Sequence, residues 1–499
     1  MDKSKCMVLK NDKFGRYLAA SRDLKQGETI FTETPAIIGP PLIGNLICFD
    51  CGKPIEESFV FCTSCKIAIK CSSDCTGEHH NRSECSALTT AGIPGKCLAA
   101  NPRLIYPLRF MLLKKSNPDL WKTLVELESH IEARRDTPIW KNHQVSIIDT
   151  LKSVGFINEE FTEELVQKIC GIIDVNSFEI RPPKSNFNLT DPHQQCPRGL
   201  YINAALMAHD CTSNTFLSVN DDFVLTVKAS TNIAKNSPIF FNYSNVLHGT
   251  LDRKRHLKEG KYFDCCCERC SDPSELGTDI SSLKCHKCNG TVRSTAPNRP
   301  GSDWECSECK KQFKRSLIDI VINEGRRLIE EIDRNDVNKL VKVLDKLSAT
   351  FHPNHFVLLE TEQNLIGLYS LLPSNETNLT NKIDLCRKQL QILDVIEPGL
   401  SRIKGMIMYQ MQFAMVQLAN ETHKKTPEKL LIKLRDAEKC LMESLKHLLH
   451  EPLKSPEGKV AQMAMKELKS LRSFIENLHN DLVTKQLAET RVKNRKVKK

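Results

Sequence analysis

Residues 206–214 read Leu206-Met207-Ala208-His209-Asp210-Cys211-Thr212-Ser213-Asn214. Downstream come Pro238-Ile239-Phe240-Phe241-Asn242-Tyr243 and then Tyr262-Phe263-Asp264-Cys265-Cys266-Cys267-Glu268-Arg269-Cys270. The segment from Gly199 to Ser244 otherwise alternates short strand-like runs with turns. Three thiolates in a Cys-x-Cys-x2-Cys arrangement are one ligand short of the tetrahedral site that zinc prefers. The fourth ligand must come from outside that block. Taken alone, Tyr243 reads as a packed aromatic at a strand end. Its place between a histidine–cysteine run and a cysteine block makes it a candidate for chemistry.

Cysteine usage extends the reading outward. The chain has 22 cysteines in 499 residues, and its first residues, MDKSKCMVLKND, are charged too early for a secretory leader. No apolar run approaches the roughly 18 residues of a membrane helix. A soluble protein of the cytoplasm and nucleus is expected, without membrane attachment, and there cysteines serve metals rather than disulfides. One cluster runs Cys48-x2-Cys51, Cys62-x2-Cys65, Cys71-x3-Cys75, His79, His80 and Cys85, enough donors for two tetrahedral sites. The segment is short of apolar residues, so metal must replace the missing core. Another pairs Cys285-x2-Cys288 with Cys306-x2-Cys309 across 17 residues, the spacing of a structural zinc ribbon.

The remaining sequence is ordinary for a globular protein, at 40% hydrophobic and 26% charged. Residues 10–47 read as small strands broken by Gly15, Gly27, Gly39, Pro40 and Pro41. Residues 100–175 read as helical, with Leu104, Leu108 and Leu112 spaced by four. Beyond Ser316 nearly everything is helical. Leu340, Val343, Leu344 and Leu347 mark one apolar face, and Leu431, Leu434 and Ala437 another. Prolines at 353, 373, 398 and 452 separate the helices, as in a tetratricopeptide-like array or an irregular bundle. Of the net charge of +10, six charges come from Arg491, Lys493, Arg495, Lys496, Lys498 and Lys499. The body is therefore nearly balanced, the tail reads as a solvated terminus, and no recognition-helix pattern supports direct nucleic-acid binding.

The run at 206–214 resembles the Asn-His-Ser-Cys-x-Pro-Asn signature of SET domains. Pro238 to Tyr243 resembles the strand that delivers their catalytic tyrosine, and the block at 265–270 resembles a post-SET motif. Asn176-Ser177-Phe178 is similar to an earlier cofactor-contacting motif, and the first cysteine cluster is similar to a MYND finger. A MYND finger near the start of a SET domain marks the SMYD family, and the resemblance covers nearly the whole chain. Phe351-His352-Pro353-Asn354-His355 is similar to a turn in the family's tetratricopeptide-like domains. The ribbon and the Ala-His-Asp-Cys wording look most like the arthropod-expanded SMYD-A branch.

The resemblance implies an α+β fold, a SET β-core split by a MYND finger and followed by a post-SET zinc site, a zinc ribbon and a tetratricopeptide-like helical domain. The implied segments are 1–47, the N-terminal part of the SET domain; 48–85, the finger; 86–175, a helical insertion; and 176–250, the SET core. After these come 251–275, the post-SET motif; 276–315, the ribbon; 316–490, the helical domain; and 491–499, the basic tail. It further implies about four Zn2+ ions. Cys48, Cys51, Cys71 and Cys75 would hold one; Cys62, Cys65, His80 and Cys85 another, with His79 the alternative to His80. Cys211 would join Cys265, Cys267 and Cys270 at the third site, leaving Cys266 spare, and the ribbon cysteines would form the fourth.

Function follows from the same resemblance: methyl transfer from S-adenosylmethionine to lysines of histone or other proteins. Tyr243 would be catalytic, with Arg16, Asn176, His209, Tyr243 and Phe263 around the cofactor and a substrate cleft between β-core and helical tail. MYND fingers imply partners bearing proline-containing peptides, such as transcriptional co-regulators. Three residues depart from the pattern. Tyr17 stands at the second glycine of the Gly-x-Gly motif, Ala208 at the signature asparagine, and Asp210 at the serine. Tyr17 is expected to add bulk to the pocket and to lose access to positive φ. Losing the asparagine's hydrogen bond to a charged ligand costs about 1.5–3 kcal/mol. The competing expectation is therefore a catalytically weak scaffold that binds partners through its finger and helical domain.

Overall fold

The computed structural model describes residues 4–41, 46–55, 58–180 and 196–497, with side chains as far as residue 488. Its first element is a hairpin, strand Cys6–Asn11 paired antiparallel with Gly15–Ala20. The next strand, Thr29–Glu33, finds its partners far along the chain, with Leu225–Ala229 beside it and Thr215–Val219 beyond. Ile37–Gly39 pairs likewise with Arg198–Leu200, which pairs with Ser177–Glu179. Ala208–His209 runs parallel to Phe240–Phe241. Strands from both ends of the first half thus close one β-region, and the segment between them is an insertion.

The insertion opens with the cysteine-rich finger, whose short hairpin joins Val60–Phe61 to Ile69–Lys70. Helices follow, among them Arg82–Ala91, Ile105–Ser116, Pro118–Val125 and Glu163–Asn176. Leu104, Leu108 and Leu112, the series spaced by four, all enter a core shared with Leu18, Ile38 and Val227 of the strands. A Cβ added to Gly39 would stand 2.1 Å from the Tyr106 ring, so strand and helix touch without an intervening side chain.

A second core begins at the ribbon. Leu283–Lys284, Thr291–Ser294, Trp304–Cys306 and Gln312–Phe313 form a four-stranded antiparallel sheet in chain order. Trp304 and Phe313 pack with Ile318, Phe351 and Val357, and Leu283 bridges to Phe351. The Phe351–His355 turn is therefore what seats the ribbon on the helices. These are Arg315–Glu330, Val337–Ser348, Phe356–Tyr369, Glu376–Ile396, Arg402–His423, Pro427–Leu448 and Pro456–Val497.

Side chains of Asp336, Asn375 and Ser401 accept hydrogen bonds from the first-turn amides of three of these helices, as N-caps should. Each helix packs on the one before it, the stacking of a tetratricopeptide-like domain. They lengthen from 12 residues in Val337–Ser348 to 42 in Pro456–Val497, so the sequence carries no regular 34-residue period. The faces marked by Leu340, Val343 and Leu347, and by Leu431, Leu434 and Ala437, are buried. The basic side chains of 491–499 lie outside the described residues.

The helical domain turns back onto the β-region at residues 399–402. Leu400 N donates to Ser230 O at 2.9 Å, and Arg402 Nη2 donates to Leu217 O at 3.1 Å. Gly399 sits at φ +76°, and a Cβ there would stand 1.8 Å from Ser230 O. Only glycine fits. Between this contact and the strands a cleft remains open.

Candidate active site and metal centres

Four groups of donors gather without any disulfide, each group's ligand atoms lying within 4.8 Å of one another. They are Cys48, Cys51, Cys71 and Cys75; Cys62, Cys65, His80 and Cys85; Cys211, Cys265, Cys267 and Cys270; and Cys285, Cys288, Cys306 and Cys309. Sulfurs about 2.3 Å from a tetrahedral zinc would lie about 3.8 Å apart. Cys48 and Cys75 are separated by 3.8 Å, Cys51 and Cys71 by 3.9 Å, and Cys285 and Cys309 by 3.6 Å. The donor sets fit zinc.

The local backbone explains the Cys-x2-Cys spacing. After each such pair in the finger and the ribbon the next residue takes the left-handed conformation: Gly52 at φ 70°, Lys66 at 57°, Asn289 at 59° and Lys310 at 58°. Its N–H reaches back to the first cysteine's carbonyl, at 2.8 Å in Gly52, Lys66 and Asn289 and 3.2 Å in Lys310. Each knuckle is one tight turn that aims both sulfurs at a common point. Glycine at one and asparagine at another of these positions were readable signals.

His80, not His79, is the imidazole in the second group. Its Nε2 lies 3.7 Å from Cys65 Sγ, while Nδ1 meets Glu84 Oε2 at 2.8 Å. Glu84 is bonded in turn to Arg109 Nε at 2.6 Å, a carboxylate–histidine arrangement that fixes a metal-binding ring. Asn81, where the finger pattern asks for histidine, instead caps helix Arg82–Ala91 by accepting from Glu84 N at 2.9 Å. His79 faces Phe223, and its carbonyl accepts from Arg109 Nη2 at 3.0 Å.

The third group is buried, and Cys266 lies exposed outside it. Arg253 is fully buried behind the sulfurs, with Nε 3.4 Å from Cys211 Sγ and Nη2 3.5 Å from Cys270 Sγ. Glu275 answers it at 2.7 Å and also pairs with Arg269 at 3.1 Å. Burial would raise the Glu275 carboxyl, but the Arg253 and Arg269 charges outweigh it and hold it at about 2. The buried Arg253 guanidinium thus faces a centre where four thiolates would leave a zinc ion with excess negative charge, and Arg269 bonds the Glu275 behind it.

Tyr243 and Phe263 pack on this third group. His209 joins them, its ring 5.1 Å from that of Tyr243 and 5.7 Å from that of Phe263. His209 Nδ1 accepts from Tyr243 N at 3.0 Å, and the Tyr243 hydroxyl donates to Met207 O. Asn214 ties the two runs together, accepting from Phe240 N at 2.7 Å and donating to Pro238 O at 2.9 Å. Burial pushes the Tyr243 phenol up, His209 down to about 4 and Asp210 up to about 6. The tyrosine is protonated and the histidine neutral near pH 7.

Arg16, Asn176, His209, Tyr243 and Phe263 all line one cleft of about 1230 Å3, as do Phe178, Phe241 and Lys261. Glu397, Arg402 and Glu451 line its far end, between strand Thr215–Val219 and the helical domain. Arg16 donates to the carbonyl of Glu126, and Asn176 Nδ2 donates to Glu128 O at 2.8 Å, so both hold the same loop. The volume accommodates a nucleoside-sized ligand with a peptide segment beside it.

Tyr17 overturns one expectation. It lies in strand Gly15–Ala20 with an ordinary extended backbone, while the left-handed φ of 64° falls at Gly15. Alternation along the strand puts Tyr17 and Ala19 on the face opposite Arg16. Its ring packs with Ala19, Ala208, Phe14 and Phe240, not in the cleft. Ala208 belongs to the same buried cluster, so the two departures from the pattern share one packing environment. Lys261 was missed by sequence reading. It adjoins the quoted block but carries no spacing signal, and only the fold places it in the cleft.

The family model of the SET domain matches residues 15–244. The Drosophila melanogaster protein named SET domain-containing protein SmydA-8, isoform A, is 25% identical over 411 residues, covering 80% of this chain and 86% of its own length. The Arabidopsis thaliana histone-lysine N-methyltransferase ASHR1 is 23% identical over 385 residues, covering 71% of this chain and 76% of its own. The Mus musculus histone-lysine N-methyltransferase Smyd1 is 25% identical over 276 residues, covering 51% and 54%.

Proposed function

The chain belongs to the SMYD family, SMYD-A-like, and on that premise we propose that it transfers methyl groups from S-adenosylmethionine to lysine side chains of other proteins. The observation that carries this reading is the convergence of Tyr243, His209, Asn176, Arg16 and Phe263 on one cleft from which the Tyr17 ring is turned away. S-adenosylmethionine, when bound, supplies an electrophilic methyl group on sulfur. The protein's task is then mainly to position and to exclude water.

Tyr243 is the residue we assign to catalysis. Its backbone is fixed by His209, its phenol is held protonated by burial, and its hydroxyl donates to the Met207 carbonyl. That hydroxyl aligns the reacting groups. Phe178, Phe241 and Tyr243 follow one another with ring centroids 5.7 and 6.1 Å apart. A lysine entering along this row loses water, which lowers its pKa from about 10.4 and frees the amine lone pair. Arg16, Asn176, His209 and Phe263 form the cofactor side. The sixteen clustered cysteine and histidine ligands would hold four structural zinc ions, and Tyr243 and Phe263 pack against the third of these groups.

A partner-binding role accompanies the enzyme reading. Phe59 and Phe61 lie 5.5 Å apart on the finger's hairpin, with Phe59 exposed, a surface suited to proline-containing peptides. Cytoplasmic and nuclear residence fits such partners. Incubating zinc-loaded protein with methyl-labelled S-adenosylmethionine and a histone and cell-protein mixture tests the activity. Label on lysine, reduced about a hundredfold or more by Tyr243→Phe, supports it. Cofactor binding without any lysine label would favour the scaffold reading.

A further inference from the structure

Lys261 is the last residue of helix Thr250–Lys261, and Tyr262 after it takes φ 61°. The chain reverses there, returning Phe263 and the zinc ligands to the site and leaving Lys261 facing the cleft. Its Nζ lies 5.5 Å from the centroid of the Tyr243 ring and donates to Val175 O. Burial pushes its ammonium down to about 8.

An ammonium carries three donors, and one carbonyl uses one of them. Among the described residues no carboxylate lies within ion-pair distance of Lys261. Of the cleft's other cations, Arg16 pairs with Glu126 and Arg402 with Glu451, while Lys10 and Lys13 stand exposed to water. Asp174, which favours the Lys261 charge from further away, is bonded to Arg134 at 3.0 Å. Half-burying a cation without a counter-ion still costs free energy. A site that keeps one suits a ligand that brings the anion.

We propose that Lys261 receives the carboxylate of the methyl donor's amino-acid end and so sets which way round the donor lies. This rests on the methyltransferase reading above. The donor has two positive centres, its sulfonium and its ammonium, and one negative centre, its carboxylate. Lys261 repels the first two and attracts the third. A donor whose carboxylate meets Lys261 has its sulfur a short aliphatic chain away, within reach of Tyr243. Lys261 is a positioning residue. It takes no part in bond making.

Calorimetric titration of the zinc-loaded full chain with S-adenosylmethionine and with its decarboxylated analogue tests this. Wild type should bind S-adenosylmethionine about tenfold or more tightly than the analogue. Lys261→Met should lose that preference by weakening only the carboxylate-bearing ligand, and Lys261→Arg should keep it. Wild type binding both ligands equally overturns the assignment without needing any folded variant. Equal loss of both ligands in Lys261→Met also overturns it, as a packing effect. Wild type binding neither ligand sinks the methyl-donor reading itself, and with it this assignment.

Discussion

Tyr17 and Ala208 fall in one packing cluster, and that placement changes what Tyr17 means for function. Seen in the sequence, one fills a glycine position and the other removes an amide. In the fold, both belong to one buried cluster with Ala19, Phe14 and Phe240, and only Ala208 of the two lines the cleft. Tyr17 is 8% exposed, so Tyr17→Ala should destabilise the protein by about 3–5 kcal/mol, read from denaturant unfolding. A loss near zero would place the ring in open space and return it to the cofactor question. Sequence reading misjudged Tyr17 because a residue's face on a strand depends on register. The left-handed turn at Gly15 sets that register, and a motif match cannot see it.

At the scale of elements, the zinc-bearing segments were the most legible part of the chain. Each knuckle is set by local spacing and a single left-handed residue, so the pairs were readable before any fold was known. The charges that support them were not, because Arg253, Arg269 and Glu275 meet only through tertiary packing. Removing one partner of such a buried set costs about 3–5 kcal/mol, so Glu275→Gln should lower stability by that order. Its melting transition should move with that loss, while a shift under 1 °C would contradict the network.

The helix Phe356–Tyr369 gives a pH-dependent case. His355 is fully buried, caps that helix by accepting from Val357 N at 3.2 Å, and has no partner at Nε2 among the described residues. Burial lowers its pKa well below the ordinary value of about 6.5. A base favoured neutral in the fold contributes stability above its unfolded pKa and loses it as pH falls below about 6.5. His355→Asn keeps a capping side chain without the titration. Between pH 7 and 5 the variant should lose less melting temperature than wild type; parallel losses would assign acid sensitivity elsewhere.

For the whole molecule, the order of modules was legible, because cysteine spacing and helical periodicity each mark a segment locally. What could not be read was how the helical domain meets the β-region. That contact runs through Gly399, Leu400 and Arg402, with His450 and Lys454 also reaching the β-region, none of them in a motif, and it walls the far end of the cleft. The site is thus a product of distant segments: the first hairpin, the end of helix Glu163–Asn176, the histidine–cysteine run, the tyrosine strand and the zinc block. The most direct test is calorimetric titration of S-adenosylmethionine into zinc-loaded wild type and Tyr17→Gly. Saturable micromolar binding by wild type, not tightened by Tyr17→Gly, is the predicted result. No binding by wild type with recovery in Tyr17→Gly would mean that the ring closes the pocket, and would contradict the account.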